Sequence, residues 1–276
     1  MKTVEFRRLG NIDVSVIGLG TASTFDVTDK TDVAVRRQIV DNCLANEINL
    51  IDTAPLYGRA EEVVGVITDG RRDKFYFATK VLREGKEAGE ERIAESFKFL
   101  KTDYIDLLQV HNLLDWRTQL ATLERLKEEG KIGMVGMTAS KHLIDEAYPI
   151  FAGLMKDRRI DTIQIPYNVI EQDCEKELLP LAQELGTGVL VMEPLQKGNY
   201  VKELKRQPDL GPLADFGIQT WGQALLAWVI SDSRVTSAIP ATTRPERIAE
   251  NALPGSLGTM SQELRDYVRE ETVRCM

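Results

Sequence analysis

The chain has no apolar stretch long enough to cross a membrane as a helix. Its longest uninterrupted apolar run is the seven residues ALLAWVI, residues 224–230, whereas a membrane helix needs roughly 20 such residues. The first ten residues, MKTVEFRRLG, lack the apolar centre of a signal peptide. The sequence therefore predicts a cytoplasmic protein that has no membrane partner.

Residues that build disulfide and metal sites are also scarce. The three cysteines, Cys43, Cys174 and Cys275, are odd in number and scattered, without the paired spacing of a zinc site or a disulfide framework. Only two histidines are present. We therefore expect reduced thiols and no metal.

Positive charge is in deficit, since 35 Lys and Arg residues face 43 Asp and Glu residues for a net charge of -8. Nucleic acids and anionic membranes are bound through an excess of basic residues. Nucleic acid is therefore not an expected partner. With 43% hydrophobic and 28% charged residues, the composition is typical of a globular protein with a substantial core.

Short β-rich segments alternate with amphipathic helical segments along the chain. Most successive strands start about 26 to 34 residues apart, and a longer interval of about 47 residues precedes the eighth. Eight β/α units predict a (β/α)8 barrel, formed as one domain over residues 1–276. The eight predicted strands are VSVIGLG, INLIDTA, FYFATKV, YIDLLQVH, IGMVGMT, TIQIPYN, GVLVMEPL and VTSAIPA.

The N-terminal segments VEFRRLG and NIDVSV meet at a Gly-Asn pair, which predicts a β-hairpin at the barrel floor. An open doubly wound sheet is the alternative fold. It would favour a G-x-G-x-x-G motif after the first strand, and IGLGTAS does not supply one.

Polar side chains come at the ends of three neighbouring predicted strands. Asp52 ends the second strand, and Tyr57 lies on the loop that follows it. Lys80 ends the third strand and His111 ends the fourth. Because active sites of such barrels lie at the C-terminal ends of the strands, we expect these four side chains to share one site.

The four groups suggest acid–base chemistry on a carbonyl. An ammonium held near a phenol lowers the pKa of that phenol, and a carboxylate allows the ammonium to be buried. Asp52 is thus predicted to hold Lys80, and Lys80 to make Tyr57 more acidic. The imidazole of His111 can orient a substrate oxygen.

These residues resemble the tetrad of the aldo-keto reductase family, in the same order and at the same strand ends. The motifs GLGT, IDTAPLYG, ATKV, DLLQVH, QIPYN and IPATTRPERIAEN extend the resemblance over nearly the whole chain. It implies hydride transfer from NADPH to an aldehyde or ketone, with Tyr57 as the acid and Asp52, Lys80 and His111 in support. No metal takes part, and a monomer is the common state of the family.

The resemblance also implies a coenzyme site. Thr138 and Gln164 match groups that hold the nicotinamide amide, and Thr21 of the GLGT motif is assigned to the same site. At the adenosine end, the matching residues are Arg247, Glu250 and Asn251.

A phosphate site is predicted independently at the segment TTRPERIAEN. Arg244 and Arg247 are three residues apart and would share one face of a helix that begins near Thr243. Thr243 and Glu246 have the spacing of a capping box. Because guanidinium groups bind phosphate oxygens well, this pair favours NADP(H) over NAD(H).

Three positions depart from the pattern of many family members: Ala139 replaces Asn, Met192 replaces a Tyr that stacks on the nicotinamide, and Ala241 replaces Lys. The alternative function is an NADPH-binding sensor or regulatory subunit with little turnover. The short loop after His111 suggests an open pocket for small or varied carbonyl compounds, with Phe25 and Trp116 as candidate lining residues.

Overall fold

Eight parallel strands form one sheet in a computed structural model that describes residues 3–276. The sheet order is β10-β9-β8-β7-β6-β5-β4-β3, so strands that follow each other in sequence are neighbours. A separate antiparallel hairpin precedes the sheet. Its strands are β1 (Phe6–Leu9) and β2 (Ile12–Ser15). The sheet strands are β3 (Leu19–Gly20), β4 (Leu50–Asp52), β5 (Tyr76–Val81), β6 (Ile105–His111), β7 (Ile132–Thr138), β8 (Thr162–Pro166), β9 (Gly188–Met192) and β10 (Ser237–Ala238).

Helices follow the strands and cover the outside of the sheet. Most agree with the amphipathic segments in the sequence, because their apolar faces pack on the outer face of the strands. The region 196–217, within the long interval before the eighth predicted strand, contains three short helical turns. The helices are α1 (Lys30–Ala45), α2 (Ala60–Ile67), α3 (Lys86–Leu100), α4 (Trp116–Glu128), α5 (Ile144–Lys156), α6 (Leu178–Leu185), α7 (Asn199–Lys202), α8 (Trp221–Ile230), α9 (Arg247–Ala252) and α10 (Gln262–Cys275).

The sheet closes into a barrel because its two edge strands meet. Gly18 N donates to Ala238 O at 2.8 Å, and Gly20 N donates to Pro240 O at 3.0 Å. Parallel bridges at Ile17–Ala238 and Gly20–Ala241 mark the same junction. The predicted (β/α)8 barrel is confirmed, and the open doubly wound sheet is wrong.

The hairpin closes the floor of the barrel, as the sequence predicts. Leu9 and Val14 are fully buried and pack in one cluster with interior residues of the strands, among them Leu107 and Met134. The first predicted strand, VSVIGLG, is divided between elements, since its first two residues belong to β2 and its last two to β3.

Within residues 3–276, no helix combines the length and the apolar character that a membrane crossing requires.

Candidate active site

Strand alternation directs a set of polar side chains into the mouth of the barrel. Leu50 and Ala78 belong to the buried interior cluster. Side chains two residues further along a strand face the same way, which places Asp52 and Lys80 above them. Asp52 and Lys80 are buried, at 2% and 1% exposed. The apolar floor therefore supports a polar layer.

Lys80 and Asp52 form a buried ion pair in this layer. The Lys80 ammonium donates to Asp52 Oδ1 at 2.8 Å, to Asp52 Oδ2 at 2.9 Å and to the carbonyl oxygen of Thr53 at 2.8 Å. Burial lowers the pKa of Lys80, but the Asp52 carboxylate and the nearby Tyr57 raise it, and the net shift is upward. Three acceptors therefore hold the ammonium charged.

Tyr57 lies beside this pair at the end of a 3₁₀ helix, Pro55–Tyr57. The Lys80 nitrogen is 5.4 Å from the centre of the Tyr57 ring. Gly58, the next residue, has a φ of 61° and a ψ of -123°, a conformation that suits glycine. Asp26 accepts a hydrogen bond from Arg59 N at 3.0 Å, which fastens the loop that carries Tyr57.

The Lys80 ammonium lowers the pKa of Tyr57, as predicted, but the net shift of this pKa is upward. Burial raises the pKa of the phenol, and this effect is larger than the opposing effect of the Lys80 ammonium. A partly buried hydroxyl loses the hydration that would stabilise its anion. Tyr57 therefore keeps its proton at neutral pH.

His111 stands at the end of β6 on the other side of Tyr57. The two rings meet edge to face, with centroids 6.4 Å apart. Burial and the Lys80 ammonium lower the pKa of His111 to about 3. Its Nδ1 atom is buried and has no hydrogen-bond partner within residues 3–276. The imidazole is therefore neutral, and its buried nitrogen is not committed to another residue of the described chain.

Thr138, Gln164 and Thr21 lie in or beside the same polar layer. Gln164 Nε2 donates to Asp52 Oδ2 at 3.5 Å, and Thr138 pairs with both His111 and Gln164 in the strand register. The Thr138 hydroxyl is buried without a partner in the described part of the chain. Thr21 Oγ1 donates to Asp52 O at 3.0 Å.

The helix predicted to begin near Thr243 begins four residues later, at Arg247. Pro245 disfavours a helical conformation at Arg244, and the predicted capping box is absent. In the turn before the helix, Thr242 Oγ1 accepts a hydrogen bond from Arg244 N at 3.1 Å, and the helix itself has no side-chain cap at Glu246.

Arg244 and Arg247 nevertheless lie one turn apart, since Arg247 N donates to Arg244 O at 3.1 Å. The Arg244 side chain is 54% exposed. Arg247 pairs with Glu250, which also accepts from Thr220 Oγ1 at 2.8 Å. Asn251 is buried beside them.

The positions that depart from the family pattern occupy different environments. Ala139 is fully buried. Met192 is partly buried and packs against the interior cluster. Ala241 is exposed. Of the two candidate lining residues, Phe25 is fully buried in the core, so that prediction is wrong. Trp116 is partly exposed.

Gln109, a fully buried residue of the polar layer, is not among the site residues predicted from the sequence. Its Nε2 donates to Gln164 Oε1 at 2.7 Å. Gln109 comes two residues before His111 on one strand, so strand alternation places both side chains on the interior face. That spacing was the available signal.

Comparison with known proteins agrees with this geometry. The model of the aldo/keto reductase family matches residues 16–270. The chain belongs to the aldo/keto reductase family. The prediction of an oxidoreductase of this type is therefore confirmed.

Similar proteins cover nearly the whole chain. Methylglyoxal reductase YeaE of Escherichia coli (strain K12) is 29% identical over 273 residues, 95% of this chain and 92% of the relative. The NADH-specific methylglyoxal reductase of the same organism is 26% identical, in an alignment that covers 88% of this chain and 91% of the relative. A crystal structure of an aldo-keto reductase from Klebsiella pneumoniae in complex with NADPH has a TM-score of 0.82 at 27% identity, over 98% of this chain and 95% of that one.

The low pKa of His111 gives a prediction for NMR spectroscopy. Because the imidazole is neutral down to a pKa of about 3, its ring signals should not move between pH 5 and pH 8. The exposed His142 gives the only other histidine signal, and a His142→Gln variant assigns the two. A titration of the His111 ring with a midpoint above pH 5 would contradict the described environment.

Proposed function

We propose that this protein reduces an aldehyde or ketone to an alcohol, with NADPH as the reductant and Tyr57 as the proton donor. The observation that carries the proposal is the buried Lys80–Asp52 pair with Tyr57 and His111 beside it at the barrel mouth. General-acid catalysis requires a proton donor that is still protonated at the working pH and loses its proton easily in the transition state.

The four residues would divide this task. His111, a neutral imidazole beside the Tyr57 ring, would donate a hydrogen bond to the carbonyl oxygen and place that oxygen near Tyr57. Tyr57 then gives its proton to the oxygen as negative charge develops there. The Lys80 ammonium stabilises the phenolate that remains, and Asp52 keeps the ammonium in place.

The residues around the rim fit a nicotinamide coenzyme. When bound, NADPH supplies a hydride to the carbonyl carbon. Thr138 offers a buried hydroxyl that lacks a partner in the described chain, and a carboxamide can satisfy it. Gln164, next to Thr138 in the strand register, would hold the same amide group, and the backbone around Thr21 would border the site.

NADP(H) is the coenzyme that we favour, although a similar protein is an NADH-specific reductase. The support is Arg244, whose side chain is exposed and has Glu246, at 3.9 Å, as its single ion-pair partner among residues 3–276. With Arg247, Glu250 and Asn251 it forms the adenosine end of the proposed site. The similar aldo-keto reductase from Klebsiella pneumoniae has been crystallised in complex with NADPH.

The substrate class that we propose is small carbonyl compounds, including 2-oxoaldehydes such as methylglyoxal. Two similar proteins are methylglyoxal reductases. The loop after β6 that precedes α4 is only four residues long, and Leu56 beside Tyr57 is 60% exposed. An open mouth of this kind suits small substrates.

Replacing the proton donor tests the proposal. Tyr57→Phe should lower kcat for NADPH-dependent reduction of methylglyoxal by at least about 100-fold, because a positioned acid contributes about 10²–10⁴-fold. NADPH binding, measured by fluorescence titration, should change little. The measurement is steady-state oxidation of NADPH with a panel of small aldehydes and ketones.

Tyr104→Phe is the matched control, since Tyr104 lies at the start of β6, at the opposite end of the barrel. Full turnover in Tyr57→Phe would remove Tyr57 from its proposed role. If the unaltered protein binds NADPH but turns over no member of the panel, the sensor or regulatory function becomes the better interpretation.

Coenzyme preference gives a separate prediction. Arg244→Ala should raise KM for NADPH about tenfold and change KM for NADH much less, because only NADPH carries the 2′-phosphate. A hydrogen bond to a charged group contributes about 1.5–3 kcal/mol. Because the Arg244 side chain is exposed, we expect a contribution near the lower value, which corresponds to about a tenfold change in KM. Arg8→Ala on the hairpin is the control, with a side chain 61% exposed. An equal rise in both KM values would argue against a phosphate contact.

A further inference from the structure

A chain of hydrogen bonds runs through the barrel interior beneath the proposed site. Gln109 Nε2 donates to Gln164 Oε1 at 2.7 Å, and Gln164 Nε2 donates to Asp52 Oδ2 at 3.5 Å. Asp52 in turn accepts from Lys80 at 2.8 Å. These residues come from four strands, β6, β8, β4 and β5, and none is more than 2% exposed.

The direction of donation in this chain follows from the ion pair. An ionised carboxylate only accepts hydrogen bonds, so the amide nitrogen of Gln164 must face Asp52 and its oxygen must face away. Gln109 supplies the donor that this oxygen meets. At 3.5 Å the bond to Asp52 is long, so the shorter bond from Gln109 helps to hold the Gln164 amide in the direction that the Asp52 carboxylate sets.

The neighbouring strand leaves space for Gln109. Gly136 on β7 is its register partner. A Cβ atom added at Gly136 would clash first with Thr162 Oγ1 and would lie 2.9 Å from Gln109 Cγ. A larger residue at Gly136 would therefore crowd both side chains.

We propose that Gln109 is a positioning residue that holds the Gln164 side chain in the direction that Asp52 sets, and through it the alignment of the coenzyme amide with the Asp52–Lys80 pair. This inference rests on the proposed function. Gln109 is fully buried and acts without touching the coenzyme. The amide nitrogen of Gln164 carries two hydrogens; one is directed to Asp52, and the other is held in a constant direction for the nicotinamide carboxamide.

A Gln109→Met variant tests the inference, since methionine has a similar length and no N–H donor. The dissociation constant for NADP⁺, measured by quenching of tryptophan fluorescence, should rise about five- to tenfold. KM for NADPH should rise with it, and kcat should fall less. Melting of the coenzyme-free protein reports separately whether the variant folds.

A second variant keeps a donor at residue 109. Burial and the nearby Asp52 carboxylate favour the protonated acid in Gln109→Glu, and its O–H can donate to Gln164 Oε1 in place of the amide. The dissociation constant for NADP⁺ should then rise less than in Gln109→Met.

Gln119→Met is the matched control. Gln119 on α4 is also fully buried, and its amide donates to the carbonyl oxygens of Arg83 and Gly85, outside the barrel interior. This variant should lower the melting temperature without changing the dissociation constant for NADP⁺.

The outcomes separate the possible roles of Gln109. A dissociation constant for NADP⁺ in Gln109→Met equal to that of the unaltered protein would overturn the proposal. Failure of both Gln109 variants to fold, with Gln119→Met folded, would overturn it too, because Gln109 would then be required by the fold. If the unaltered protein binds NADP⁺ but shows no turnover, the proposed function fails, while the binding comparison still decides the role of Gln109.

Discussion

The buried ion pair between Lys80 and Asp52 is the interaction on which the proposed site depends. Removing one member of such a pair typically costs about 3–5 kcal/mol, because the other charge is left in the interior without a partner. Both oxygens of Asp52 and the carbonyl oxygen of Thr53 accept from the Lys80 ammonium. The barrel thus holds a positive charge beside Tyr57 at its mouth. This charge would stabilise the phenolate that forms when the Tyr57 hydroxyl gives up its proton.

The apolar half of the barrel makes this arrangement possible. The hairpin residues Leu9 and Val14 close the floor with interior residues of five strands and of the segment that follows β10, and the polar side chains begin one interior position higher. Burial then acts differently on each group. It favours the neutral imidazole of His111 and the protonated phenol of Tyr57, while Asp52 keeps Lys80 charged.

Much of this architecture can be predicted from the sequence, because strand order and the positions of strand ends are local properties. Eight β/α repeats predict the barrel, and the polar residue at each strand end predicts that Asp52, Lys80 and His111 converge. The pKa direction at Tyr57 could not be predicted, since it depends on how deeply packing buries the hydroxyl. The helix begins at Arg247 rather than near Thr243 because Pro245 disfavours a helical conformation at Arg244, an effect that outweighs the capping pattern of Thr243 and Glu246.

The most direct test of the account is the titration of the Lys80 side-chain nitrogen by NMR spectroscopy. The Asp52 carboxylate should hold the pKa of this ammonium above its ordinary value of 10.5, so the nitrogen signal should remain that of a charged group from neutral pH to pH 10. Loss of the proton near neutral pH would contradict the account, because Tyr57 would then have no positive charge to stabilise its anion.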